Sequence, residues 1–312
     1  MGEFELIDRI RARARPGNGV VTGIGDDAAV LSPTPGHELV VTTDSLVLER
    51  HFTAGWPAAD IGHLAAQANL SDLAAMAARP RWALLALTLP EPDETWLDGF
   101  LDGFLDAVGA HAVALVGGNL ARGPLNIGVE LIGEVPAGEA VTRRGAFPGD
   151  RIVVTGTPGD AAAALRLGEA AGSGLLERLR RPQARVEAGE ALRGRARAMI
   201  DLSDGLVADL GHMLGAGQGA ELDLDALPAS AALTEAVPDP VERQRLQAGG
   251  GSDYELLAVL APEADLGALT RAAGVALTEI GRVTDSERII LRPSGIELPA
   301  QGAAGWDHFR DD

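Results

Sequence analysis

Six short segments, spread from residue 23 to residue 257, set carboxylates or their amide beside glycine, serine, threonine or asparagine. They are Gly-Ile-Gly-Asp-Asp (23–27), Thr-Thr-Asp-Ser (42–45), Asn-Leu-Ser-Asp-Leu (69–73), Gly-Gly-Asn (117–119), Ile-Asp-Leu-Ser-Asp-Gly-Leu (200–206) and Gly-Gly-Ser-Asp-Tyr-Glu-Leu-Leu (250–257). A fold that accepts this chain must give each of them a tight turn or the end of a rigid element. Oxygen ligands alone, on glycine-bearing turns, suit Mg²⁺, which prefers a few carboxylates plus water and substrate phosphate to a closed protein cage. Taken singly, each segment has an ordinary explanation. Gly-Asp-Asp between strands is a hairpin turn, Asp72 a helix-start charge, and Ser203 and Asp204 capping residues. Their recurrence points instead to several divalent cations held against phosphate.

Charge supports that reading. The 312 residues carry 26 basic and 45 acidic side chains, a formal charge of −19, which opposes attraction to nucleic acid or anionic membrane. An acidic protein must then meet a polyphosphate through metals and a few local arginines. The chain has no cysteine, which excludes disulfides, zinc–thiolate sites, iron–sulfur clusters and thiol nucleophiles. It has no lysine either, so no Walker phosphate loop exists, and neither a nucleophile elbow nor the protein-kinase motif set is present. Charges interrupt the N-terminus where a signal peptide would be apolar, and no run of eighteen apolar residues follows, so a cytoplasmic protein is expected.

Along the chain, residues 3–14 have helical spacing, and short strands at 20–22 and 28–31 flank Gly-Ile-Gly-Asp-Asp. A strand at 39–43 should deliver Asp44 at its end. Asp60 should cap a helix through Asn69, with Ser71 opening a further turn around Asp72. Strands are expected at 82–89, at 113–116 stopping before Gly117-Gly118-Asn119, and at 125–133. Pro136-Ala137-Gly138 then breaks the pattern. A second set follows, with Ser203 capping a helix that runs to Leu214. The expected architecture is α+β (α/β) in two domains, 1–138 and 139–312, with mixed sheets flanked by helices.

The ordered motifs, with Arg-Arg-Gly-Ala-Phe-Pro-Gly-Asp (143–150), Val-Ala-Asp-Leu (207–210) and Gly-Trp-Asp-His-Phe (305–309) added, resemble the thiamine monophosphate kinase family. The resemblance spans residues 3 to 309. It implies an aminoimidazole ribonucleotide synthetase-like fold, a homodimer with paired N-terminal sheets, and ATP-dependent phosphorylation of thiamine monophosphate without a covalent nucleophile. It also implies Mg²⁺ ligands at Asp26, Thr42, Thr43, Asp44, Asp72, Asn119, Asp201 and Asp204, and ATP contacts at Gly118, Asn119, Arg143 and Ser203. Acceptor contacts are implied at His51, Ser252 and Trp306. Metal and ATP binding and dimerisation are expected of the first domain.

Three positions depart from the family, one of them Leu101, where the family often has an aromatic near the nucleotide base. Asn119 stands where an aspartate is usual, and Ser252 where a glutamate is usual. Asn119 predicts a weaker cation site. Ser252 leaves open a related phosphotransferase with another acceptor, and Asn119 a nucleotide-binding paralogue without turnover.

Overall fold

The computed structural model describes residues 2–292 and the backbone of 296–299. The chain divides into two units, one made of Met1–Leu73 and Ala78–Gly138, the other of Ala74–Ala77 and Glu139–Asp312. In order, the first 138 residues form α1 (Glu3–Arg13), β1 (Val20–Thr22), β2 (Val30–Leu31), β3 (His37–Val47), α2 (Ala58–Ala75), β4 (Arg79–Leu89), α3 (Glu94–Gly109), β5 (Ala114–Arg122) and β6 (Asn126–Pro136).

Strands β3, β6, β4 and β5 make a four-stranded sheet in that spatial order. Pairings β3–β6 and β6–β4 are antiparallel and β4–β5 is parallel. On β4, Ala83, Leu85, Leu87 and Leu89 alternate inward and are buried, as period-two spacing requires. Helix α3 buries Leu97, Phe100, Leu101, Phe104 and Val108, a stripe at helical spacing, and Asp93 caps it by accepting the Trp96 N–H at 3.0 Å. The other face of the sheet stays open along β3, where Leu39, Val41 and Val47 are 49%, 62% and 38% exposed.

The C-terminal unit continues with β7 (Arg151–Thr155), α4 (Asp160–Leu167), α5 (Gly172–Arg180), α6 (Val186–Leu192), β8 (Ala196–Asp201), α7 (Leu206–Met213) and β9 (Gly219–Asp223). Then come α8 (Ala231–Ala236), α9 (Pro240–Gly249), β10 (Leu256–Leu260), α10 (Leu266–Ala273), β11 (Leu277–Thr284), β12 (Arg288–Arg292) and β13 (Ile296–Pro299). Its seven strands run in the order β13-β12-β9-β11-β7-β10-β8. All pairings are antiparallel except β12–β9. Every residue of β10 is buried, so it reads as an unbroken apolar run. Its Leu257 and Val259 share a core with Ile152, Val154, Leu206 and Leu210. Each unit is thus a mixed sheet with helices, an α+β fold.

Among the expected boundaries that differ, four bear on the motifs. Strand β3 does not end at Thr43 but continues to Val47, because its full length pairs with β6. Strand β5 passes through Gly117-Gly118-Asn119 to Arg122, held by parallel pairing with β4. Helix α2 starts before Asp60 and runs unbroken through Asn69 and Ser71 to Ala75. Helix α7 starts at Leu206 with Gly205 in the capping position, not Ser203. Among the described residues no helix is long and apolar enough to cross a membrane.

Candidate functional site

In the N-terminal unit, alternation along β3 places Thr42 and Asp44 on one face and Thr43 on the other. Thr42 Oγ1 donates to Asp72 Oδ2 on α2. The Asp44 N–H donates to Oδ1 of Asn69 at 3.1 Å, and Asn69, buried, donates its own amide to the Ala65 carbonyl at 3.1 Å. Asn69 is therefore locked one helical turn before Asp72, and both reach β3 from the same side of α2. A helix and a strand, not a loop, position these carboxylates. Asp26 lies exposed on the turn between β1 and β2, and its Oδ1 accepts the Asp27 N–H at 2.9 Å.

The β-sheet register puts Gly118 in one row with Leu85, Val129 and Asp44. Its φ is +149°, and a Cβ there would run into the Leu85 carbonyl oxygen, so only glycine fits. Asn119, exposed, falls in the next row, opposite Ala86. Thr43 pairs with Glu130, on the open face. His51 Nδ1 accepts the Val47 N–H at 3.0 Å, so the neutral ring carries its proton on Nε2.

In the C-terminal unit, β8 ends on buried Asp201 and the chain turns through Ser203-Asp204-Gly205 into α7. Asp209 on the first turn of α7 accepts the Asp204 and Gly205 N–H groups at 3.2 and 3.0 Å, the work expected of Ser203. Burial, reinforced by the charge of Asp204, pushes the Asp209 carboxyl up to about 7. Arg143 is exposed on the loop before β7.

The 250–257 segment is stitched to that turn. Ser252 and Tyr254 donate backbone N–H bonds to the Ser203 and Leu202 carbonyls at 2.8 and 2.9 Å, and Leu202 returns one to Glu255 at 2.8 Å. A Cβ at Gly251 would run into the Ser203 carbonyl oxygen. Ser252 and Tyr254 sit at φ of 63° and 51°, left-handed backbone that costs an L-residue roughly 1–2 kcal/mol. Behind them lie buried Asp160, Asp253 and Glu255. Glu255 is gripped by Arg185 (Nε–Oε2 2.6 Å), Arg178 (Nη2–Oε1 2.8 Å) and Thr155 (2.6 Å). Neither Arg178 nor Arg185 belongs to a motif legible in the sequence, so the sequence does not reveal this cluster. Asn69 and Asp209 were missed because each acts on a backbone N–H, not on a side chain. Trp306 lies outside the described residues.

Among the described residues no three His, Cys, Asp or Glu side chains are placed to hold a metal by themselves. The donors nevertheless fit Mg²⁺: they are oxygens, they come in small sets such as Thr42–Asp72, and such sets leave room for water and phosphate.

Residues 25–135 match the model of the AIR synthase related protein, N-terminal domain, and residues 148–293 that of the AIR synthase related protein, C-terminal domain. The chain is 44% identical to the thiamine-monophosphate kinase of Salmonella typhimurium strain LT2, across 99% of this chain and 98% of that protein. The crystal structure of thiamine-monophosphate kinase from Stenotrophomonas maltophilia K279a matches with a TM-score of 0.87 at 42% identity, covering 95% of this chain and 98% of that one. A structure of AaThiL complexed with AMPPCP and TMP matches with a TM-score of 0.77 at 30% identity, covering 99% and 97%.

Proposed function

The chain belongs to the thiamine-monophosphate kinase family of AIR synthase related proteins and is an enzyme of that kind; from this we propose that it transfers the terminal phosphoryl group of ATP in line to thiamine monophosphate, yielding thiamine diphosphate and ADP. The observation that carries the reading is near-complete coverage at 44% identity, in a chain whose motifs present Asp26, Asp44, Asp72, Asp201 and Asp204.

Phosphoryl transfer asks a protein mainly to position two anions and offset their charge. The acceptor phosphate is already ionised near neutral pH, so no strong general base and no covalent nucleophile are required. Asp26, Thr42, Asp44, Asp72 and Asn119 in the first unit, and Asp201 and Asp204 in the second, would hold Mg²⁺, which when bound neutralises phosphate charge; Thr43, whose side chain lies on the other face of β3, would join them through its backbone carbonyl. Gly118, lacking a side chain, lets backbone approach the nucleotide, and exposed Arg143 supplies a guanidinium for its phosphates. His51, Ser252 and Trp306 would contact the acceptor. In this reading residues 1–138 are the metal- and ATP-binding domain and 139–312 the C-terminal α/β domain of a cytoplasmic protein.

A homodimer is part of the proposal. The open face of the N-terminal sheet exposes Leu39, Val41 and Val47 on one strand, an apolar row that a second copy would cover.

Incubating the pure protein with ATP, Mg²⁺ and thiamine monophosphate and weighing the products is the direct experiment, with thiamine diphosphate and ADP in equal amounts as the expected result. Ser252 favours one second reading, a different phosphorylated acceptor. ADP formed only with another acceptor would establish it, and nucleotide binding with no ADP from any acceptor would leave a paralogue without turnover.

A further inference from the structure

The buried carboxyls behind the 250–257 segment are not equivalent. Glu255 meets two guanidinium groups, and Asp160 accepts from Ser230 at 2.7 Å and lies 3.5 Å from Arg178 Nε. Asp253 meets neither arginine. Among the described residues its Oδ2 accepts one bond, from the Gly159 N–H at 2.8 Å, and its Oδ1 has no hydrogen-bond partner. Gly159 is the residue from which α4 starts. Asp253 also stands between the two left-handed residues, Ser252 and Tyr254, whose backbone bonds run to the loop carrying Ser203 and Asp204.

A backbone strained on both sides of one residue persists only where the surroundings over-determine it. Backbone bonds to Leu202 and Ser203 tie the turn on one side, and the Asp253 carboxyl ties it on the other, to α4. We propose that Asp253 is a positioning residue for phosphoryl transfer: its carboxyl pins the 252–254 turn to the start of α4, and this pin sets where Ser252 meets the acceptor and where Ser203 and Asp204 stand. The inference deepens the kinase reading and rests on it for the kinetic part of its test.

Local charge agrees with the geometry. Two arginines face two of the three carboxyls, and burial, with the charges of Glu255 and Asp160 adding to it, holds the Asp253 carboxyl well above the usual carboxylate range. The bond from the Gly159 N–H asks only for an acceptor oxygen in that place. An amide of the same shape should do the same work, whereas a methyl group should not.

Asp253→Asn and Asp253→Ala, made in the full chain, separate these roles. Steady-state kinetics at a temperature well below either melting point should show Asp253→Asn within about threefold of the parent. Asp253→Ala should raise the KM for thiamine monophosphate at least tenfold and lower kcat, with less change in the KM for ATP. Hydrogen exchange followed by mass spectrometry should show the 250–256 peptide opening in Asp253→Ala while β10 and β7 keep their protection. A lowered melting point with unchanged kinetics and exchange in Asp253→Ala would overturn the proposal, as would loss of activity in a well-folded Asp253→Asn. If Asp253→Ala does not fold, Asp253→Ser, one atom short of the pin, is judged by the same criteria. Failure of the parent protein to make thiamine diphosphate overturns the kinase reading; the exchange experiment still decides whether Asp253 holds the turn.

Discussion

Asp44 and Asp72 are anchored from elements with little freedom, and Asp26 is not. On the proposed reading, Asp44→Asn and Asp72→Asn should each reduce turnover by about 100-fold or more at saturating Mg²⁺, since each would remove anionic charge where cations and phosphate are balanced. Their melting temperatures should stay near the parent's, because asparagine keeps the shape of aspartate and, at position 72, an oxygen that accepts from the Thr42 hydroxyl. Turnover near that of the parent in both variants would remove these residues from the mechanism. Asn119 offers the reverse change. An amide oxygen ligates Mg²⁺ without contributing charge, so Asn119→Asp should lower the Mg²⁺ concentration for half-maximal activity. A midpoint that stays or moves upward strikes Asn119 from the ligand set. Residue types revealed the oxygen donors in the sequence, since a carboxylate announces its chemistry. Asn69 did not, because its task depends on a strand 25 residues earlier presenting the Asp44 N–H to it.

At the level of elements, regular periodicity was readable and interruptions were overread. Asn and Ser signal helix ends when local preference decides, but α2 is rich in alanine and leucine and carries both through its buried side. Two glycines signal the end of a strand, yet β5 continues through them because β4 supplies parallel partners. That contact makes a prediction. Gly118→Ala should destabilise the N-terminal unit by roughly 2–3 kcal/mol in urea unfolding, through positive φ and backbone overlap with Leu85. The start of α7 makes another. A carboxyl whose folded pKa exceeds its unfolded value binds its proton more tightly in the fold. For Asp209 that stabilisation is complete below about pH 4 and is lost as pH rises to about 7. Without metal, urea midpoints should therefore fall across this window, and Asp209→Asn should flatten the slope while keeping the N–H bonds. An equal slope in both proteins would mean that another group titrates.

For the whole molecule, the α+β class was legible in alternating strand and helix patterns. The spatial order of strands was not, because β3 pairs with β6 across most of the N-terminal unit and sequence carries no mark of such partners. The open face of that sheet bears on assembly. If it is the dimer face, Val41→Asp should shift the protein to a monomer by light scattering, whereas an unchanged mass would place any association elsewhere. The division of the chain has a further consequence. Residues 74–77 belong with the C-terminal unit although they lie inside the N-terminal half, so the backbone passes between units at 73/74, 77/78 and 138/139. Ala77 gives its carbonyl to Arg193 at 3.0 Å, and Gly189 lies too close to Ala74 to carry a Cβ. A gene truncated at residue 138 would strand this segment without its partners, and one begun at residue 139 would lack it. The halves are therefore poor cassettes for recombination: one cut cannot exchange them, and a working chimera has to transplant a four-residue insert along with the C-terminal half.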